Sequence, residues 1–442
     1  MKKIGRCKSF FEQVLSEHPF GMEIAVCLLS GWLLLACLVI PVTADDGFKL
    51  QVFGNANMDD RIDGGDLDYA EGIVSGNNKP TGFSDANYDG TIDEADIDQI
   101  RKIIAGTAEN ITITDDQNRN VTLKYPIERA VGVNIGAIEI MRAIGIDIQS
   151  VFVAVTSYAL SNPAYFPELD GKVGIELGSP DYEKLFNLNP DLVILYKNPY
   201  KDESFEKYDA IGVPVICLDC FERERLDGSV KILGEIFGKR DNAQELLDWY
   251  HGYISLIKER TDSLELSRRP NTIFCSMIEY SYPIIKVCNK NSGNHWLMED
   301  AGGNNLGQDL EGSSGVAEVD REWILSQNPE VIIGSVTHSA NKSGYSANES
   351  SAIDYMRSMH GKLMADEAIK QTDAAAEDRV HIICVDLYTG PMQAAGTAFM
   401  AKILHPELFE DIDPEEILRE YFEDWQCIPY RGVWIYPPLK SG

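Results

Sequence analysis

The sequence predicts an α/β protein: two lobes with mainly parallel sheets joined by a long helix, preceded by a small helical module and an apolar N-terminal segment. Three observations carry that expectation. A fourteen-residue segment recurs without a gap at an offset of 139 residues, an amphipathic helical pattern lies between its two copies, and a twelve-residue acidic segment recurs at an offset of 30. A chain of 442 residues with 44% hydrophobic and 25% charged residues has room for several folded domains. With 39 Lys+Arg against 70 Asp+Glu and a net charge of −31, nucleic acid is excluded as a partner, because phosphate contacts need clustered basic side chains.

Residues 1–44 carry a net +1 and contain a nearly continuous apolar run, Ile24 to Val42, that ends in Val42-Thr43-Ala44 before Asp45-Asp46. About 20 apolar residues span a bilayer core, so the segment reads as an export signal cleaved after Ala44 or as an uncleaved signal-anchor. Either reading places the rest of the chain outside the cytoplasm, on the extracellular face of the membrane, anchored to it or secreted. Six cysteines follow: Cys217, Cys220, Cys275, Cys288, Cys384 and Cys427. Cys217-Leu-Asp-Cys220 has no second pair to complete a four-ligand zinc site, so buried free thiols are expected for most of the six.

Residues 45–107 hold a net −9 and the shorter repeat. Asn55-Ala-Asn57-Met-Asp59-Asp60-Arg61-Ile62-Asp63-Gly-Gly-Asp66 aligns with Asp85-Ala-Asn87-Tyr-Asp89-Gly90-Thr91-Ile92-Asp93-Glu-Ala-Asp96. Oxygen side chains fall at positions 1, 3, 5, 9 and 12, the ligand spacing of an EF-hand loop, in which position 7 (Arg61, Thr91) gives a backbone carbonyl. Helical patterns follow, Leu67 to Val74 and Ile97 to Ile104. Two loop–helix units in about 60 residues resemble the dockerin domain, which implies up to two Ca2+ and a cohesin-like partner. Loop 1 departs from the pattern at Asn55 and at Asp60, which stands where the turn glycine belongs.

The longer repeat pairs Asp181-Tyr-Glu183-Lys-Leu185-Phe-Asn-Leu-Asn189-Pro190-Asp191-Leu-Val-Ile194 with Asp320-Arg-Glu322-Trp-Ile324-Leu-Ser-Gln-Asn328-Pro329-Glu330-Val-Ile-Ile333. Each copy reads as a short helix stopped at Asn-Pro, then a β-branched run suited to a buried parallel strand. Further strands are expected at Arg129–Asn134, Ser150–Val155, Val213–Leu218, Thr272–Ile278 and His381–Asp386, with a helix over Ala137–Ile144. Between the halves, Asp241 to Leu264 carries apolar residues at 243, 246, 247, 250, 253, 254 and 257, the helical period. Two such lobes on one helix leave a cleft for a ligand.

Residues 108–442 resemble the substrate-binding proteins of ABC importers for iron–siderophore complexes, haem and cobalamin. The resemblance rests on Ser179-Pro-Asp-Tyr-Glu183-Lys-Leu, Asn189-Pro-Asp-Leu-Val-Ile, Leu233-Gly-Glu-Ile-Phe-Gly-Lys239, Ala301-Gly-Gly-Asn-Asn305, Val319-Asp-Arg-Glu322-Trp-Ile-Leu and Ala401-Lys-Ile-Leu-His405-Pro-Glu407. It implies a periplasmic-binding-protein-like fold of two Rossmann-like lobes. The expected domains are 1–44 (signal or anchor), 46–107 (paired calcium loops), 108–235 (lobe 1), 236–268 (linking helix) and 269–442 (lobe 2). It also implies a permease dimer as partner, met by one exposed glutamate on each lobe, Glu183 and Glu322, pairing with arginines.

Loops at the carboxyl ends of the strands should line the cleft, and the candidates there are Tyr158, Tyr196, Tyr200, Tyr280, Tyr282, His295, Trp296 and Tyr388. Aromatic faces suit a bulky chelate, and phenolate or imidazole can reach a metal. Lys286 and Arg321 are the nearby cations for an anionic siderophore. Gly293 and Gly302-Gly303 fit no phosphate cradle, Ser313-Ser314 has no His/Asp companion, and no nucleophile elbow, P-loop or HExxH occurs. The expected function is a non-enzymatic receptor for a ferric-siderophore-type chelate. A haem or corrinoid (cobalamin) receptor of the same class is the alternative, and a dockerin-mediated extracellular assembly protein is the alternative of another class.

Overall fold

A computed structural model describes residues 48–176, 180–196, 203–339 and 342–439. The expected signal or anchor over 1–44 and the candidate Tyr200 lie outside the described residues. Among the described residues no helix is long and apolar enough to cross a membrane.

The small module is two loop–helix units, with α1 at Gly64–Val74 and α2 at Glu94–Ala105. Asp63 and Asp93 cap them in the same way: each side chain accepts from the helix while Asp66 or Asp96 accepts back at the cap nitrogen, a reciprocal capping box. Gly106 closes α2 in the left-handed conformation, φ +67°, which a residue without Cβ adopts at little cost. The sequence gave no sign of the hairpin that follows, β1 (Asn110–Thr114) against β2 (Asn120–Lys124). It bridges module and lobe: Val52 pairs with Ile113, and Phe53 N–H donates to Thr112 O at 2.9 Å.

Lobe 1 is an all-parallel five-stranded sheet of β3 (Ala130–Gly132), β4 (Phe152–Thr156), β5 (Val173–Ile175), β6 (Leu192–Tyr196) and β7 (Val215–Leu218) in the order β5-β4-β3-β6-β7. The chain winds outward from β3 and returns beside it at β6, so a switch point lies at the carboxyl ends of these two strands. There α3 (Ile135–Ala143) begins, capped by buried Asn134, whose amide also donates to Leu218 O at 2.7 Å. The helix α4 (Tyr182–Leu188) precedes β6, and α5 (Arg223–Ile236) ends the lobe.

The linking helix, α6, spans Arg240–Thr261, 22 residues or about 33 Å. It is separated from α5 by a turn at Gly238, φ +64°. Its apolar stripe, including Leu246, Leu247, Tyr250, Ile254 and Ile257, is buried as its periodicity requires.

Lobe 2 has β8 (Asn271–Cys275), β9 (Ile285–Cys288), β10 (Asn304–Asn305), β11 (Val316–Val319), β12 (Val331–Val336), β13 (Val380–Cys384) and β14 (Ile435–Tyr436). The order is β11-β9-β8-β12-β13-β14, with β10 beside β8. β8, β12 and β13 run parallel, whereas β9 and β14 run antiparallel to their neighbours, so this sheet is mixed. The strand expected over Thr272–Ile278 stops at Cys275, because Met277 takes φ +42° and the chain turns into a short helix. The helix α7 (Arg321–Gln327) precedes β12 as α4 precedes β6.

One contiguous apolar core joins the module (Val52, Ile97, Ile100, Ile103), the hairpin (Ile111, Ile113), the lobe-1 helices and α6. The same core takes in the C-terminal aromatics Tyr421, Phe422 and Trp425. The small module is therefore packed onto the body rather than hung from a linker.

Candidate functional site

A cavity of about 240 Å³ opens at the junction of the lobes. Lobe 1 supplies Ile135 and Glu139 from α3, and Tyr158 and Tyr165 from the segment after β4. Lobe 2 supplies His338 and Asp386, each two residues beyond a parallel strand, β12 or β13. Tyr345, Phe422 and Trp434 complete an aromatic wall, with Ser161, Ser339, Ser343, Ser346 and Thr389 as hydroxyl donors.

The polar floor is charged. His338 Nδ1 meets Asp386 Oδ1 at 2.5 Å, a charge-assisted pair. Burial alone would lower the imidazole pKa, but the Asp386 carboxylate outweighs it and the pKa is raised. Burial lifts Glu139 to about 7, helped by the negative charge of Asp386 and opposed by Arg142 and His338. Arg142 cannot turn to a ligand, since its guanidinium is fixed by Gln426 Oε1 at 2.7 Å and Tyr165 O at 2.5 Å.

The sequence candidates fall into three groups. Tyr158 lines the cavity, half-exposed, its ring 5.6 Å from that of His338. Tyr196 stands just behind the wall, stacked on Phe221 at 5.6 Å, and its hydroxyl accepts from Ile135 N–H at 3.3 Å. The others lie elsewhere. Tyr282 packs into the lobe-2 core with its hydroxyl 3.5 Å from Asp366, and Tyr388 packs edge-on against Phe274 and donates to Ser335 at 3.3 Å. His295 is buried against Asn305 at 3.2 Å, and burial lowers its pKa. Trp296 crosses the lobe junction to donate to Glu224 at 2.8 Å. Tyr280 is exposed beside Lys342.

The two cations considered for an anionic ligand are engaged elsewhere, Lys286 with Glu318 at 3.6 Å and Arg321 with buried Asp366 at 2.8 Å. The sequence reading missed Glu139, His338 and Asp386 altogether. A signal existed: each lies in the first residues after a strand of the central sheets, where ligands of open α/β sheets bind.

The repeated helices α4 and α7 agree in detail. Asp181 and Asp320 cap them by accepting from the third helical nitrogen, and Asn189 and Asn328 end them at φ +46° and +43°. Leu185 and Ile324 are the buried anchors. Asp191 then accepts from Arg129 N–H, and Glu330 accepts from Asn271 N–H. Glu183 and Glu322 project from the first turns into solvent, and among the described residues neither has an ion-pair or hydrogen-bond partner.

The two acidic loops also superimpose bond for bond. Asp66 and Asp96 each accept from the residue at position 3, Asn57 or Asn87, at 3.1 Å. Each also accepts from the residue at position 9, Asp63 or Asp93, at 2.8 Å. Arg61 and Thr91 donate backbone N–H groups to Asp59 and Asp89 at 2.9 Å, leaving their carbonyls available. Burial raises Asp66 to about 6 and also raises Asp96. The donors are all hard oxygens, the set calcium takes, although among the described residues no three His, Cys, Asp or Glu side chains are gathered closely enough to hold a metal ion.

Loop 1 differs from loop 2 in two places. Asn55 is buried with its amide donating to Leu50 O and Asp59 O. Asp60 faces the body and pairs with Lys231 of α5, which explains a carboxylate where loop 2 has Gly90 at φ +90°. The six cysteines are unpaired and five are buried, and burial pushes the Cys217 and Cys288 thiols up to about 12 and 11.

Known proteins share this architecture. The chain is similar to the molybdate-binding protein MolA of Haemophilus influenzae, 21% identical over 72% of this chain and 92% of that protein. Its molybdate-bound structure matches with a TM-score of 0.58 at 20% identity, over 73% of this chain and 99% of that one. FepB from Veillonella parvula, described as a TroA-like periplasmic binding protein, matches with a TM-score of 0.61 at 22% identity, over 73% and 98% of the two chains. Helicobacter pylori CeuE with Ni(II) bound matches with a TM-score of 0.53 at 16% identity, over 72% and 97%. The family model for periplasmic binding proteins matches residues 143–384, more than half of the sequence, and so the chain belongs to the periplasmic binding protein family.

Proposed function

We propose that this chain, a substrate-binding component of an ABC importer, captures a compact ferric-siderophore-type chelate of neutral or positive charge and delivers it to a permease dimer. The observation that carries the reading is the cleft floor: Glu139, His338 and Asp386, from both lobes, facing one aromatic cavity. Two carboxylates repel anions, so a multiply negative catecholate complex, or an oxyanion such as the molybdate named for MolA, fits this floor poorly. Carboxylate, imidazole and the Tyr158 phenol are donors that suit iron and similar metals. At about 240 Å³ the cavity is smaller than the roughly 300–1,000 Å³ typical of drug-sized ligands, which favours a compact chelate over haem or cobalamin.

Delivery rests on Glu183 and Glu322, exposed at equivalent positions of the two lobes and suited to pairing with permease arginines. Reversing both, Glu183→Arg with Glu322→Arg, should abolish uptake and leave ligand affinity unchanged; unimpaired uptake would refute the docking role. The small module is proposed to hold up to two Ca2+ in its dockerin-like loops, supported by the oxygen donor set and the buried position-12 carboxylates. A cohesin-like partner for it is a further proposal. Trp434 lines the cavity, so ligand binding should quench its fluorescence. A response to a ferric hydroxamate but not to molybdate supports the reading, and the reverse order would overturn it.

A further inference from the structure

Exposed apolar side chains are scattered over most protein surfaces and need no explanation singly. Among the described residues ten large ones are exposed, and two of these, Phe186 and Leu325, stand at equivalent positions of the internal repeat. Phe186 is 59% exposed and Leu325 is 42% exposed. Neither belongs to any of the three apolar clusters of the fold, although their helix neighbours Leu185 and Ile324 are fully buried.

Local geometry makes the equivalence physical. Both helices are seven residues long, capped by Asp at the start, ended by left-handed Asn and followed by Pro and a buried parallel strand. Phe186 follows Glu183 by three residues, and Leu325 follows Glu322 by three, so each apolar side chain lies beside its glutamate on one helix face. Each lobe thus displays the same pair, a carboxylate in the first helical turn and a large apolar group next to it.

We propose that Phe186 and Leu325 are the apolar anchors of the permease-docking face, each seated in a socket that the permease dimer presents twice. The inference rests on the docking reading of Glu183 and Glu322 and assigns it a second component. A single chain that shows one motif twice, on lobes held by a rigid helix, matches a partner whose own surface is repeated by two-fold symmetry. Each socket is then an arginine bordered by apolar side chains, so that the ion pair is flanked by a contact that excludes water.

The test uses the full chain and its permease dimer reconstituted in lipid nanodiscs, with binding measured in solution. Phe186→Ser with Leu325→Ser should weaken permease binding at least tenfold, each single variant giving part of the loss, while ligand affinity and the thermal midpoint stay unchanged. An affinity within twofold of the unsubstituted chain overturns the inference. Glu183→Arg with Glu322→Arg is run in parallel. Loss in the glutamate variant without loss in the apolar variant refutes the apolar anchors and leaves the docking reading standing. Retained binding in the glutamate variant refutes the docking reading itself. Self-association of the unsubstituted chain that the apolar substitutions abolish would show the occupant to be a second copy, and would also overturn the proposal.

Discussion

Glu139 carries the clearest conflict between fold and site. Its folded pKa of about 7 lies above the ordinary 4.5, so the folded chain holds this proton more tightly than the unfolded one. The group's favourable contribution is complete below pH 4.5 and is lost as pH rises through 7. Ionisation there costs on the order of 3 kcal/mol. Glu139→Gln should therefore raise the melting temperature at pH 8 and make little difference near pH 4, as calorimetry would show. The same substitution should weaken binding of a cationic ligand, and binding to the unsubstituted chain should fall as pH drops through about 7. His338 works with Asp386 as a pair, and Asp386→Asn should bring the imidazole pKa down, visible by NMR titration, because the carboxylate is what raises it.

At the scale of elements, the polar seam between the small module and the body is the least expected part of the molecule. Arg240 donates from α6 to the last carbonyls of α2, to Ile103 O at 2.6 Å and Ile104 O at 3.3 Å, and pairs with buried Glu235. It satisfies orphan groups of a helix end and neutralises a buried charge together. Arg240→Ala should cost roughly 3–5 kcal/mol in urea unfolding because it leaves Glu235 unpaired. Lys231→Ala, at the partly exposed pair with Asp60, should cost no more than about 1 kcal/mol. What could be read from sequence at this scale follows a rule. α4, α7, α1 and α2 were legible because caps, buried anchors and stop signals sit within one helix and occur twice. The hairpin, β9, β11 and β14 were not, because their pairing partners lie far along the chain or on short edges without a strong alternation.

For the whole molecule, the lobes meet through α6 and through contacts that cross the cleft. Gln393 donates to Phe221 O at 2.7 Å, Trp296 donates to Glu224, and Arg223 pairs with Asp300. The duplicated architecture was legible from the offset of 139 residues, and the cleft from that architecture. Its chemistry was not, because Glu139, His338 and Asp386 are separated by hundreds of residues and share no spacing; only the closed fold brings them together. Aromatic residues drew the sequence reading instead, and of those Tyr158 alone lines the cavity among the described residues. The central claim is that this acidic, two-lobed cavity selects a compact metal chelate by charge. Calorimetric titration of the full chain and of Asp386→Asn with a neutral or cationic ferric hydroxamate tests it most directly. The account predicts a single site in the full chain and at least tenfold weaker binding in the variant. Equal affinity in both, or tighter binding of molybdate than of the chelate, would contradict it.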